Sequence, residues 1–271
     1  MKITELNPFG LLIEPKITGS EIQSLDVLKL KSLVGKHQLI VLRNFKTFED
    51  SASLSRYAES WGELAKWPFG AVLELLESDV PEDHIFDNSY VPLHWDGMYR
   101  SHIPEYQLFH CVKAPSKEQG GRTVFSNTIL ALGKLSKDEL SLFQNITGNY
   151  HREMEFYHSR VVSPVITKHP YLNHNVIRFN EPHNDNKGKL INPVEMTFSC
   201  EQKQIHRLEE LLYGPDHLLA HHWEDGDLVI ADNFSLLHGR EAFESKSSRH
   251  IRRVQVLSEI PYENPSLEVL K

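Results

Sequence analysis

The chain has 271 residues, of which 40% are hydrophobic and 24% are charged, and its formal net charge is −8. This is the composition of a folded globular protein, and it excludes collagen-like, low-complexity and disordered chains. The acidic balance gives no reason to expect a nucleic-acid partner. Only two cysteines occur, Cys111 and Cys200, so a disulfide framework and a cysteine-rich zinc site are excluded as well.

The sequence also lacks the signals of a membrane or secreted protein. No apolar window approaches the length of a membrane span, and residues 1–10 have no apolar core of a signal peptide. We therefore expect a cytoplasmic protein with no membrane partner. One number is unusual: the 16 histidines raise the question of a metal site.

Helical and strand patterns alternate in the N-terminal part of the chain. Apolar spacing predicts a helix around residues 27–34 and a buried strand over residues 39–45. Thr47 and Asp50 resemble a capping box and predict the start of a second helix there. The segment 71–92 begins like a strand and continues as a loop.

Short strands predominate from about residue 90 onward. Ser136 and Glu139 form a second capping-box pattern, which predicts a further helix. We therefore predict one domain over residues 1–271, mixed α/β but mainly β, as a β-sandwich or jelly roll with flanking helices. The expected strands cover residues 106–112, 122–125, 146–152, 161–167, 175–179, 227–231 and 249–257, with helices over 136–143 and 199–213 and a polar turn at 183–189.

A short motif gives the first candidates for a metal site: a histidine followed two residues later by an acidic residue. Chance alone predicts more than one such pair from 16 histidines and 37 acidic residues, and the sequence holds four. The pair His94 and Asp96 has the best context, because it ends an extended segment among aromatic neighbours. Residues two apart on a strand face the same way, so both side chains could reach one ion. A surface pair or a hydrogen-bonded core histidine would give the same pattern.

A third ligand is expected from elsewhere in the fold. His238 is the best candidate, since it follows a predicted strand and lies next to the small Gly239. Two histidines and one carboxylate are the ligand set of non-haem Fe(II) oxygenases, which keep three positions open. Zinc would more often take three histidines or cysteines.

An α-keto acid that chelates such an iron needs a buried cation for its far carboxylate, and arginine binds carboxylates bidentately. Arg249 and Arg253 are four residues apart on the last strand and share a face, whereas Arg252 points away. Thr123, after a Gly-Gly turn, could add a hydroxyl to the same carboxylate. A basic strand edge that discourages strand pairing would also explain the arginines.

Four segments in this order resemble the TauD/TfdA family of Fe(II)- and 2-oxoglutarate-dependent dioxygenases. They are LHWDG at 93–97, GGRTVFSN at 120–127, DGDLVIADN followed by LHGR between 225 and 240, and RHIRRVQV at 249–256. The resemblance runs from about residue 90 to 257. It implies a double-stranded β-helix, cupin-like, that uses Fe(II), with 2-oxoglutarate and O2 as co-substrates.

The resemblance also implies a role for individual residues. The expected iron ligands are His94, Asp96 and His238. Thr123 and Arg253 match the residues that hold the far carboxylate of 2-oxoglutarate. Arg249 matches a second arginine near the C1 carboxylate or the oxygen side.

Within the family, LHWDGMY at 93–99 and PEYQLFHCVKAP at 104–115 resemble the PvcB branch, which is associated with isonitrile synthases. This likeness implies a small-molecule substrate of secondary metabolism, an isonitrile acid derived from tyrosine. The implied reaction is desaturation, with or without loss of the carboxylate. Candidate substrate contacts flank the iron motif: Met98, Tyr99, Arg100 and Tyr106. A lid could come from residues 67–92.

Three alternatives stay open on the residues alone. One is a TauD-like hydroxylase of another small acid. A second is a zinc-dependent hydrolase that uses the same His/Asp/His cluster and has no need of Arg253. The third is a jelly-roll protein that binds a small acid without catalysis and would tolerate Asp96→Ala.

Overall fold

The computed structural model describes residues 1–154, 157–183, 190–191 and 193–269 of the chain. Most of the polar turn expected at 183–189 lies outside them. The helices of the described residues are α1 Val27–His37, α2 Ser51–Glu59, α3 Thr128–Leu132, α4 Lys137–Gln144 and α5 Gln202–Leu212, with 3-10 turns at Ile22–Ser24, His84–Phe86 and Lys117–Gln119.

Strands form most of the remaining regular structure. In chain order they are β1 Lys2–Glu5, β2 Leu11–Glu14, β3 Leu39–Leu42, β4 Val72–Leu76, β5 Val91–His94, β6 His102–Ile103, β7 Tyr106–Lys113, β8 Thr123–Asn127, β9 Thr147–Met154, β10 Tyr157–Pro164, β11 Ile166–Lys168, β12 Asn175–Ile177, β13 Glu195–Phe198, β14 Leu218–His221, β15 Leu228–Asp232, β16 Leu236–Arg240, β17 His250–Val256, β18 Tyr262–Glu263 and β19 Leu267–Val269.

Two sheets build the central sandwich. The larger sheet has the strand order β1-β2-β3-β15-β7-β17-β4, and the smaller has the order β14-β8-β16-β5. Apolar side chains from both sheets, among them Phe109, Val229 and Ile251 from the larger and Phe125 and Leu236 from the smaller, form one buried cluster. The sheets therefore face each other, and the expected jelly roll with flanking helices is confirmed.

The other face of the larger sheet is covered by helices. Leu30 and Val34 of α1 and Leu54 of α2 pack against Leu108 and Ile230 of the sheet. Both faces of β7 and β15 are thus buried, which explains why these strands read as nearly continuous apolar runs. A further sheet, in the order β13-β9-β10-β19, adds a second layer beside the smaller sheet.

The two expected capping boxes have different outcomes. Ser136 and Glu139 form the predicted box at the start of α4. The box predicted at Thr47 is wrong, because α2 begins three residues later with Asp50 as its N-cap and Ser53 as its partner. Thr47 instead lies beside His110 of β7, with 3.2 Å between Oγ1 and Nε2.

Helices of membrane-spanning length and apolar character do not occur in the described part of the chain.

Candidate metal centre and active site

Neighbouring strands of the smaller sheet bring His94 and His238 together. In the antiparallel pairing of β5 with β16 the two residues are directly opposite, and their ring centroids are 4.3 Å apart. Gly239 permits this pairing, because a Cβ at that position would lie 2.5 Å from the carbonyl oxygen of Val91. The sequence alone indicated a small residue here, and the close strand approach is the reason.

Asp96 completes the cluster from the turn after β5. Its Oδ1 lies 3.8 Å from His94 Nε2, and its Oδ2 lies 3.7 Å from His238 Nε2. One ligand atom from each of the three residues falls within 4.8 Å of the others, and this is the one such group of three found among the described residues.

The protonation states suit a divalent cation. Burial lowers the pKa of His94 and lowers the pKa of His238 to about 3, so both imidazoles are neutral near pH 7. His94 Nδ1 lies 2.8 Å from the Pro92 carbonyl oxygen, to which it donates, and this leaves Nε2 as the ligand atom. Burial alone would raise the pKa of Asp96, but the positive charge of Arg253 outweighs it and lowers the pKa, so the carboxyl is ionised. Two neutral imidazoles and one carboxylate fit Fe(II).

Two side chains that the sequence did not single out fix Asp96. Asn233 holds its backbone, accepting from the Asp96 N–H at 3.0 Å and donating to the Asp96 carbonyl at 3.0 Å. Gln107, the second residue of β7, donates to Asp96 Oδ2 at 2.6 Å. Gln107 is, with His110, one of two buried polar residues in a largely apolar strand, and this is the signal that could have identified it.

Arg253 also faces the ligand cluster. Its Nη1 donates to Asp96 Oδ2 at 2.7 Å, and the guanidinium is mostly buried. Arg252 points to the opposite face of the sheet, as expected, and pairs with Glu74. The two-residue period of a strand therefore predicted correctly that Arg253 lies on the inner face of the sandwich and Arg252 on the outer face.

Arg249 lies deeper in the sandwich, near Thr123. Its Nε donates to the Gly121 carbonyl at 3.2 Å, two residues before Thr123. Gly121 has φ +74°, and a Cβ there would lie 3.2 Å from Arg249 Cδ, so glycine allows the arginine side chain to pass. Thr123 is buried, and its Oγ1 accepts from Trp223 Nε1 at 3.1 Å.

The electrostatic setting of Arg249 is unusual. The residue is only 4% exposed, and in the described part of the chain no carboxylate pairs with it. Burial, aided by nearby Arg240, lowers its pKa to about 9. A buried guanidinium without an anionic partner is costly, so this position has the character of an anion-binding site.

A cavity of about 450 Å3 opens in front of the candidate metal ligands His94 and Asp96. His94, Asp96 and Arg253 form one wall. Three of the expected substrate contacts line it, and so do aromatic residues of the expected lid. These residues are Met98, Tyr99, Arg100, Trp67, Phe69 and Phe86, and Trp95 lines the cavity as well.

Tyr106, the fourth expected substrate contact, does not line the cavity. Its ring packs edge-on against Trp61, with 5.3 Å between centroids, on the helix-covered face of the larger sheet. Tyr106 and Gln107 are adjacent on β7, so their side chains point to opposite faces, and only Gln107 reaches the site.

The segment 67–92 contributes one side of the cavity. The Arg100 guanidinium lies over the Trp67 ring at 4.3 Å, and Arg100 Nη2 donates to the Lys66 carbonyl at 2.7 Å. The stretch 84–89 is bound from behind by Arg240, two residues after His238. Its guanidinium donates to the carbonyls of His84, Ile85, Asp87 and Ser89 at 2.6–3.0 Å.

Comparison with known proteins places this site in a family. The family described as "Taurine catabolism dioxygenase TauD, TfdA family" matches residues 2–255. The chain belongs to this family. The class expected from the sequence, an Fe(II)- and 2-oxoglutarate-dependent oxygenase, is thereby confirmed over a zinc hydrolase or a non-catalytic binding protein.

The similar proteins include members of the PvcB branch. A tyrosine isonitrile desaturase of Pseudomonas aeruginosa is 46% identical over 96% of this chain and 91% of its own length. A 3-((Z)-2-isocyanoethenyl)-1H-indole synthase of Fischerella ambigua is 39% identical over 94% of this chain and 95% of its own. The solved structure of PvcB, described as an Fe, alpha-ketoglutarate dependent oxygenase from an isonitrile synthetic pathway, superposes with a TM-score of 0.84 at 42% identity, covering 98% and 95% of the two chains. The expected resemblance to this branch is confirmed.

Proposed function

We propose that this chain desaturates an isonitrile acid derived from tyrosine, with Fe(II) held by His94, Asp96 and His238. The observation that carries the chemistry is the cluster of two neutral imidazoles and one carboxylate in contact with the mostly buried Arg253. Bound iron would supply the activation of O2 that breaks a C–H bond, coupled to conversion of 2-oxoglutarate into succinate and CO2. The protein supplies position, charge and a dry cavity.

Arg249 and Thr123 are the proposed anchor of the far carboxylate of 2-oxoglutarate. Arg249 is a buried cation without a carboxylate partner, so it has a full positive charge to offer. The Thr123 oxygen already accepts a hydrogen bond from Trp223, which leaves its hydroxyl hydrogen to donate. Both groups therefore suit the same anion.

Arg253 is the proposed partner of the near, C1 carboxylate. Its guanidinium already touches the metal ligand Asp96, where that carboxylate must bind. Arg249 directly precedes β17 and Arg253 lies within it, so each is positioned to serve a different end of the co-substrate. The sequence analysis expected Arg253 and Thr123 to hold the far carboxylate together. In this proposal Arg249 takes that place beside Thr123, and Arg253 binds the C1 carboxylate.

The cavity suits an aromatic acid as substrate. Its volume of about 450 Å3 lies in the range of small-molecule sites, and Trp67, Phe86, Trp95 and Tyr99 give it an aromatic lining. The desaturase and synthase among the similar proteins carry names of aromatic isonitriles. Loss of one hydrogen from each of two adjacent carbons would give the alkene, with O2 reduced to water and to the new oxygen atom of succinate.

The test begins without oxygen. Fe(II) and then 2-oxoglutarate are added to metal-free protein, and the weak visible charge-transfer band of the chelate is recorded for the parent, His94→Ala and Arg249→Met. We expect a band in the parent, none in His94→Ala, and a band in Arg249→Met only at much higher 2-oxoglutarate.

Oxygen and candidate substrates are then supplied, and succinate and product masses are measured. The tyrosine-derived isonitrile acid should lose two hydrogens, and taurine should leave succinate at background. Loss of CO2 in addition would identify the decarboxylating variant of the reaction. Gain of one oxygen atom would favour the hydroxylase alternative, and absence of the band in folded, iron-loaded protein would refute the oxygenase chemistry.

A further inference from the structure

Two buried glutamines face each other behind the metal ligand Asp96. Gln107 of β7 and Gln255 of β17 are direct partners across the strand pairing, and they are 1% and 2% exposed. Gln107 uses its Nε2 on Asp96 and Asn233, but its Oε1 has no hydrogen-bond partner in the described residues. Neither amide atom of Gln255 has a partner there.

Unused amide groups in a packed interior are costly, because they have lost their hydrogen bonds to water without replacing them. A buried apolar side chain would fill the same space without that cost. Gln255 lies directly opposite Gln107, whose amide donates to Asp96, but the Gln255 amide makes no hydrogen bond to that carboxylate. A donor is therefore held next to a metal ligand without being used.

Arg253 explains what such a donor is for. In the free protein Asp96 Oδ2 accepts from Gln107 at 2.6 Å and from Arg253 at 2.7 Å. If Arg253 turns to the C1 carboxylate of 2-oxoglutarate, Oδ2 loses its charged donor while it stays buried. Asn233 cannot replace that donor, because it is engaged with the Asp96 backbone and the Pro104 carbonyl.

We propose that Gln107 and Gln255 are positioning residues that hold Asp96 in its ligand orientation when Arg253 transfers to the co-substrate. Gln107 keeps its bond to Oδ2 throughout. Gln255 takes the place of Arg253 by turning its Nε2 to the same oxygen. This inference rests on the proposed function of Arg253, and it assigns the pair no contact with substrate.

The test measures metal affinity with and without a co-substrate analogue. Co(II) serves as the probe, because its visible d–d bands report both occupancy and ligand geometry, and N-oxalylglycine replaces 2-oxoglutarate without reacting. Gln255→Met and Gln107→Met remove the amides at similar volume. Gln255→Asn keeps an amide on a shorter arm, and it stands in should the Met variant fail to fold.

We expect Gln255→Met to bind Co(II) nearly as tightly as the parent when the analogue is absent, since Arg253 still holds Asp96. With the analogue present, its affinity should fall about 10- to 100-fold relative to the parent, as for other groups that orient a metal ligand. Gln107→Met should lose affinity in both conditions. The d–d spectrum of the analogue complex should change in both variants.

Leu108→Ala is the matched control. Leu108 lies between the same strands but points to the helix-covered face, so its truncation lowers stability without touching Asp96. Its response to the analogue should equal that of the parent. Equal losses in Gln255→Met with and without the analogue, or no loss in either, would overturn the inference. Absence of any response to the analogue in the parent would instead refute the proposed role of Arg253, and this inference with it.

Discussion

Replacing Arg249 by methionine should separate stability from co-substrate binding. The pKa of Arg249 falls from 12.5 to about 9 on burial, which at about 1.36 kcal/mol per unit corresponds to roughly 5 kcal/mol held against the charged form. Methionine has a similar volume and no charge. It loses the hydrogen bond to Gly121 and the contact with the Phe243 ring, at about 1 kcal/mol each.

The balance predicts that Arg249→Met is more stable than the parent by about 1–3 kcal/mol in the absence of ligand. Urea denaturation gives this difference directly. The same variant should bind 2-oxoglutarate at least about 100-fold more weakly, because the charged partner of the far carboxylate is gone. 2-Oxoglutarate at 100 times its parent Kd should stabilise the Fe(II)-loaded parent by about 2.7 kcal/mol and the loaded variant hardly at all.

Arg240→Met is the matched control, since Arg240 is equally buried but donates to four carbonyls of the cavity wall. Its loss leaves those carbonyls without a donor and should destabilise the protein by about 2 kcal/mol or more. If Arg249→Met were destabilised to the same extent and still bound 2-oxoglutarate normally, the Arg249 guanidinium would be structural, and the reasoning from its unpaired charge would be refuted.

Three further predictions concern the strands around the site. Gly239→Ala should destabilise the protein by about 2 kcal/mol or more and weaken metal binding, measured by urea denaturation and Co(II) titration, because the added Cβ meets the Val91 carbonyl; unchanged Co(II) affinity would contradict this. Burial lowers the pKa of His110 from 6.5 to about 4, so stability is lost as pH falls through this window. Between pH 7 and pH 5 the free energy of unfolding, measured by urea denaturation, should therefore fall by about 2 kcal/mol less in His110→Leu than in the parent. Equal decreases in the two proteins would contradict this prediction. Steady-state kinetics should show a raised substrate KM for Met98→Ala and an unchanged KM for Tyr106→Phe, and the opposite ranking would place the substrate elsewhere.

The His94–Asp96–His238 cluster was predictable because much of the information lies in short stretches of sequence. His94 ends β5 and Asp96 follows it in the next turn, so their closeness in the sequence keeps both side chains within reach of one ion. His238 required its own strand and a small neighbour, both of which are visible in the sequence. The two-residue period of a strand also separated Arg253 from Arg252 correctly.

Other features depend on pairing between distant strands, which the sequence does not encode locally. Tyr106 and Gln107 lie on β7, which is buried on both faces, so no alternation of polar and apolar residues indicates which side chain faces the site. The contact of Gln107 with Asp96 also needs the turn after β5 to reach the start of β7, where Asn233 holds the Asp96 backbone. The sequence therefore predicted Tyr106 as a contact and missed Gln107.

Arg249 and Arg253, the two arginines on the inner face, differ in whether they have an anionic partner. Arg253 has an anionic partner in the free protein and must exchange it to bind a carboxylate, so the net gain from its new ion pair is small. Arg249 has none in the described residues, so a carboxylate that reaches it relieves a desolvation cost already present in the fold. Affinity for the co-substrate should therefore depend mostly on Arg249, while Arg253 couples its binding to the orientation of Asp96. On this argument Arg253→Met should weaken 2-oxoglutarate binding less than Arg249→Met does but disturb the Co(II) spectrum more, and the reverse order would contradict the proposed division of roles.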